Sequence, residues 1–160
     1  VLAQHDKKVV IIDADLRKGK LHKLFDMNHS KGLTDILARK AAVEEAICLS
    51  TIPNLHIIPC GAIMKTSYEL LTADRMEEIL LVLSKEYDII LFDTSPILYT
   101  AETQIIANIC EASLLVLMNG KTLKEEASKA TTILQNSKAQ LLGASLNGSQ
   151  VRTKVYEFQQ

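Results

Sequence analysis

Val9-Val10-Ile11-Ile12-Asp13-Ala14-Asp15-Leu16-Arg17 decides the reading of this chain. Four β-branched residues in a row predict a fully buried strand. Two aspartates, one residue apart, follow where that strand ends. In open α/β sheets the carboxyl ends of the strands form the edge at which ligands bind. Two carboxylates there can hold a hydrated magnesium ion or accept a proton from a nucleophile. Asp also hydrogen-bonds readily to nearby backbone, so the same pair can open a turn and cap the next segment. The pair alone leaves both readings open.

The bulk properties narrow the field. At 160 residues the chain suits one domain with a real core. A formal net charge of −1 advertises neither a nucleic-acid nor an acidic-membrane partner. Without Trp, and with aromatics at 4%, a base-stacking surface is not expected. Cys48, Cys60 and Cys110 are scattered, odd in number and not in ligand spacing with His5, His22, His29 or His56, which favours a reduced setting without a structural zinc. No apolar run approaches the roughly 20 residues of a membrane helix. The chain opens on Val1 and not Met, and Val1–His5 reads as the tail of a helix, so the natural protein is expected to continue upstream.

Around the opening stretch, five strands are predicted: Lys8–Asp13, Leu55–Pro59, Tyr87–Asp93, Ser113–Met118 and Gln140–Asn147. Their near-continuous Val/Ile/Leu runs fit a parallel sheet covered on both faces. Helical patterns alternate with them. One opens at Gly32–Leu37, a second covers Ser67–Leu71 and Thr72–Lys85, with Leu80, Leu81 and Leu83 toward the core. A third spans Ala101–Cys110, and a fourth begins at Thr122-Leu123-Lys124-Glu125, which has capping-box spacing, and runs to about Ser137. Alternating strands and helices predict a doubly wound, mostly parallel α/β sheet with helices on both faces. Ser149–Gln160 is polar, lacks a period and reads as a tail.

Tyr87-Asp88-Ile89-Ile90-Leu91-Phe92-Asp93 repeats the opening feature: an apolar strand ending in aspartate. In a parallel sheet both strand ends share one edge, so Asp93 is expected near Asp13 and Asp15. Carboxylates crowded in low dielectric repel each other and favour a cation among them. A turn cap before Pro96 is the plainer alternative for Asp93. A phosphate-binding Gly-x-x-x-x-Gly-Lys-Ser/Thr loop would complete a nucleotide site, but the 160 residues contain none. Gly120-Lys121-Thr122 is a decoy, since the first glycine would fall at Leu115 inside a strand; Lys121 and Thr122 read as a turn and an N-cap.

In order, these pieces resemble the catalytic domain of bacterial tyrosine kinases (BY-kinases) of capsule and exopolysaccharide synthesis, deviant-Walker P-loop ATPases related to MinD and ParA. Val9–Lys18 is similar to the Walker A′ motif. Leu21–Phe25, Gly32–Leu37, Asn54–Gly61 and Ser67–Leu71 resemble the segments that follow, Tyr87–Leu98 resembles the Walker B region, and Leu142–Gly148 the last core strand. The resemblance covers about residues 1–148 as a nucleotide-binding domain, with 149–160 as the tail. It implies ATP and Mg2+ as cofactors. Asp13, Asp15 and Asp93 would hold magnesium, directly or through water, and one of Asp13 and Asp15 would help deprotonate the attacking tyrosine. Asn147 would contact the base, and Tyr156 would be a phosphoacceptor. The implied partners are a tyrosine-bearing tail of a neighbouring subunit or target and a membrane-anchored polysaccharide co-polymerase or activator segment, in a homo-oligomer at the cytoplasmic face of the inner membrane, with no nucleic acid.

Departures accompany the match. Family members carry a P-loop strand, loop and lysine upstream of the helix ending at Val1–His5, so the resemblance predicts an N-terminally truncated domain that is inactive alone, with neighbouring strands left exposed. The Pro-rich approach to Ser67–Leu71 is reduced to Ala62–Thr66. One of two prolines after the Walker B aspartate is Ser95, and the tyrosine-rich tail shrinks to Tyr156. Three functions compete: a tyrosine autokinase, a MinD/ParA-like positioning ATPase, and a non-catalytic binding module.

Overall fold

The computed structural model describes residues 1–27, 31–63 and 70–149. Six strands are found among them: β1 (Val9–Asp13), β2 (Cys48–Leu49), β3 (Leu55–Ile58), β4 (Ile89–Asp93), β5 (Ala112–Met118) and β6 (Gln140–Asn147). The helices are α1 (Leu21–Leu24), α2 (Leu33–Leu37), α3 (Ala73–Leu83), α4 (Ala101–Ile109) and α5 (Lys124–Gln135). Leu2–His5 forms a single 3-10 turn. All five predicted strands are present; β2, a two-residue antiparallel addition, is too short to leave a pattern.

The strands fall into two sheets, in the orders β2-β3-β1-β4 and β5-β6. β1 is parallel to both neighbours, with Val9 opposite Leu55 and Ile89, and Asp13 opposite Asp93. Val10 and Ile12 are fully buried and Ile11 only partly, so both faces of β1 are covered. Each such side chain contributes about 1.5–3 kcal/mol by leaving water. The expectation of faces covered throughout fails for β5 and β6. Leu114, Val116, Leu142 and Leu146 are each more than half exposed. Along β5 the exposed residues alternate with half-buried ones: Leu115 packs toward Ala130 and Leu134 of α5, while the opposite face is exposed.

Helix α3 corrects a second expectation. Its core face is Met76, Ile79 and Leu83, spaced i, i+3, i+7. Leu81 lies about 200° around the helix from Ile79 at 100° per residue, and it is 65% exposed. Thr72 caps the helix by accepting from Arg75 N–H at 3.3 Å. The expected Thr122–Glu125 cap is shifted by one residue: Glu126 accepts from Leu123 N–H at 3.1 Å, while the Thr122 hydroxyl accepts from Met118 N–H at 2.9 Å. Leu115 sits inside β5 and Gly120 turns with φ 69°, so Gly120-Lys121-Thr122 is a turn. The Ser67–Glu69 part of the second predicted helix lies outside the described residues.

α2 is anchored to β3 by its first turn. Its free amides at Leu33 and Thr34 donate to Pro59 O at 2.8 Å and Cys60 O at 2.9 Å. The chains approach so closely that a Cβ at Gly32 would lie 2.2 Å from Gly61 N. The main core gathers Val10, Ile12, Leu16, Leu33, Ile36, Ile58, Met76, Ile79 and Leu83 around β1 and β3. A smaller one joins α4 and α5 through Ile97, Ala107, Ala130 and Leu134.

Candidate functional site

Strand pairing brings the first two carboxylates to one edge. Asp13 and Asp93 are register partners at the ends of β1 and β4, and Ala14 N–H donates to Asp93 O at 2.7 Å, so the two strands leave the sheet together. Asp15 follows in the loop to α1. Asp13, Asp15 and Asp93 line one open cleft of about 200 Å³ with Lys18, Gly19, Lys20 and Thr94.

Each carboxylate is held differently. Asp13 is 0% exposed; its Oδ2 accepts from Leu21 N–H at 2.9 Å, and its Oδ1 has no hydrogen-bond partner among the described residues. Burial raises its pKa above the ordinary carboxylate value, while the Leu21 amide works in the opposite direction. Asp93 is exposed, yet partial desolvation raises its pKa too, helped by the charges of Asp13 and Asp15. Asp15 Oδ1 accepts from Lys18 N–H at 3.0 Å, Arg17 N–H at 3.3 Å and Ser95 Oγ–H at 2.6 Å. Arg17 pairs with buried Glu102 at 3.3 Å across to the first turn of α4.

The donor set suits a hard cation: oxygen only, mutually repelling, with one buried oxygen unpartnered. Among the described residues no three His, Cys, Asp or Glu side chains converge closely enough to enclose a metal. A metal here would take one or two carboxylates and keep water for the rest, which is the habit of magnesium. Asn147 is not in this cleft. It ends β6 opposite Met118, and its Oδ1 accepts from Gly148 N–H at 2.8 Å. Tyr156 lies outside the described residues. Lys20, Gly19 and Thr94 were not singled out from the sequence, because no motif marks residues that line a cleft through the path of a loop. The three cysteines are free thiols, and no described helix is long and apolar enough to cross a membrane.

The AAA domain family matches residues 1–138. The chain is 41% identical over 151 residues to the tyrosine-protein kinase YwqD of Bacillus subtilis (strain 168), covering 94% of this chain and 64% of that protein. It is 37% identical over 148 residues to a putative tyrosine-protein kinase in the cps region of Klebsiella pneumoniae, covering 92% of this chain and 20% of that protein. The solved kinase domain of the Escherichia coli tyrosine kinase ETK superposes with a TM-score of 0.87 at 32% identity, over 100% of this chain and 63% of that one. The chain thus spans less than two thirds of each of these relatives. The fold is that of the P-loop NTPases. With its strand order, its paired strand-end aspartates and these matches, the chain belongs to the AAA domain family and, within it, to the bacterial tyrosine kinase (BY-kinase) catalytic domains.

Proposed function

We propose that these residues form part of an ATP-dependent protein tyrosine autokinase that regulates capsular or exopolysaccharide synthesis and export. One observation carries the reading: Asp13 and Asp93 are paired at the ends of adjacent parallel strands, beside Asp15 and an open cleft. That edge is where α/β sheets bind ligands. The names of the relatives supply the reaction, and the cps region of the Klebsiella protein supplies the setting.

ATP and Mg2+ are the proposed cofactors, with Asp13, Asp15 and Asp93 holding the metal directly or through water. Bound magnesium would neutralise charge on the transferred phosphate. The chain's own residues do the rest. One of Asp13 and Asp15 accepts the proton of the attacking tyrosine; a carboxylate raised in pKa by burial is the better base. Lys18 and Lys20 offset the carboxylate charge at the cleft wall. Asn147 contacts the base, and Tyr156 serves as phosphoacceptor for a neighbouring subunit. The proposed partners are such a tyrosine-bearing tail and a membrane-anchored polysaccharide co-polymerase segment, in a homo-oligomer at the cytoplasmic face of the inner membrane.

The test uses the natural polypeptide that carries these residues, incubated with ATP and Mg2+ and probed for phosphotyrosine. Phosphotyrosine should form and be lost in Asp13→Asn and in Asp93→Asn. ATP turnover without phosphotyrosine would sink the kinase reading and favour a MinD/ParA-like ATPase. Neither turnover nor phosphotyrosine would leave a binding module.

A further inference from the structure

Every hydrogen bond that the described residues give the Asp15 side chain lands on one oxygen. Arg17 N–H, Lys18 N–H and Ser95 Oγ–H all point at Oδ1. The two amides belong to Asp15's own turn and move with it. The hydroxyl comes from the loop that follows β4, 80 residues away in sequence, and makes the shortest of the three contacts at 2.6 Å.

We propose that Ser95 is a positioning residue: its hydroxyl fixes the rotation of the Asp15 carboxylate so that Oδ2 faces the cleft as a cation ligand. The proposal rests on the reading of Asp13, Asp15 and Asp93 as a cation site. That reading does not rest on acidity alone, because fully buried Asp13 lines the same cleft with an Oδ1 that no described residue hydrogen-bonds.

Ser95 is itself clamped. It is 8% exposed, and its carbonyl accepts from the Thr103 hydroxyl at 2.8 Å, which pairs with the Thr100 hydroxyl at 2.9 Å. Thr103 and Glu102 lie in the first turn of α4, so that turn steadies Asp15 from two directions: through Ser95, and through the Arg17–Glu102 pair. The terminal torsion of an Asp side chain is broad and roughly two-fold. Without a donor outside the turn, the carboxylate can rotate even while its backbone stays put. The backbone has its own tethers, Ala14 N–H to Asp93 O at 2.7 Å and Lys18 N–H to Asp15 O at 3.2 Å. Removing the hydroxyl therefore leaves Oδ1 only the two longer amide contacts of its own turn, which loosens the carboxylate, and keeps the loop and the Thr103 contact in place.

The experiment measures Mn2+ alone, as a paramagnetic stand-in for magnesium, by titration against the natural polypeptide that carries these residues. Ser95→Ala should weaken Mn2+ binding about ten-fold, a common value for losing a hydrogen bond to a charged group. Ser95→Thr, which keeps the hydroxyl, should stay within about two-fold of wild type, and the metal-free thermal midpoint of both should scarcely move. In an Asp15→Asn background, Ser95→Ala should add nothing further, because its effect runs through that carboxylate. Unchanged Mn2+ binding in Ser95→Ala, with binding weakened in Asp15→Asn, overturns the role of Ser95 and leaves the cation site standing. A full additional loss in the Asp15→Asn background overturns it too. Absence of Mn2+ binding by the wild-type chain overturns both.

Discussion

Gly19→Ala tests whether the cleft floor is as tightly built as the geometry requires. Gly19 is buried between the end of β1 and the start of α1. A Cβ there would sit 2.5 Å from Cys60 Cβ and 2.8 and 2.9 Å from the two Asp13 oxygens. Carbon contacts are comfortable at about 3.5–4.0 Å, so something must move by about 1 Å. Cys60 cannot retreat easily: it is 1% exposed, and its carbonyl receives the Thr34 amide. Asp13 is fixed by β1. The chain at residues 19–21 is what must lift, and lifting stretches the 2.9 Å bond from Leu21 N–H to Asp13. Overpacking costs about 1–3 kcal/mol and a lost hydrogen bond to a charged group about 1.5–3, together about 2.5–6 kcal/mol. Against the ~5–15 kcal/mol of a typical domain that is a large share. Urea unfolding followed by far-UV circular dichroism measures it. A cycle with Cys60→Gly sharpens the test: removing the Cys60 Cβ should recover about 1 kcal/mol or more in the double variant relative to the sum of the singles. Gly19→Ala within about 0.5 kcal/mol of wild type would refute the packing argument.

Asp13→Asn should stabilise the metal-free chain near neutral pH. Burial raises the pKa of Asp13 in the fold, so the folded state binds more protons than the unfolded one between the ordinary value of 3.8 and the raised one. Its destabilising contribution is therefore full above the folded pKa and fades as pH falls toward 3.8; thermal melts from pH 7 to pH 4 should show the gap between Asp13→Asn and wild type closing. Arg75→Ala should cost about 1.5–3 kcal/mol in urea unfolding, because its guanidinium donates to Ile36 O at 2.7 Å and pairs with Glu78, tying the end of α2 to α3; Arg75→Lys, lacking the planar fork, should not restore it.

The elements that sequence displays well are those governed by local chemistry. Four consecutive β-branched residues leave β1 little alternative, and the continuous apolar run Ile89–Phe92, opening on two β-branched residues and closing on an aromatic one, does the same for β4. Both strands end where predicted, at aspartates that are register partners on the sheet edge. Faces were harder. Leu80, Leu81 and Leu83 are alike in hydrophobicity, yet only Leu83 is buried and Leu81 is exposed, because Met76 and Ile79 already set the buried stripe of α3. β5 and β6 carry the composition of a covered sheet while much of their apolar surface is exposed. Composition reports what a strand is suited to pack against, and the presence of that neighbour is a separate fact.

The site follows the same division. Asp13 and Asp93 were legible as partners, since parallel strands ending in carboxylates must end on one edge. The supports of Asp15 were not. Ser95 registers in the sequence only as a departure from proline, and Glu102 only as a charge at a helix start. Neither signal says that both converge on the loop carrying Asp15 from the first turn of α4. Residues whose work is to orient another residue carry no motif of their own, because a hydroxyl or a carboxylate can do it from any element that passes within 3 Å. If α4 is the platform that holds Asp15, substitutions in its first turn should act on metal binding through Asp15, while those on its solvent side, such as at Asn108, should not. That asymmetry along one helix separates a positioning platform from ordinary packing.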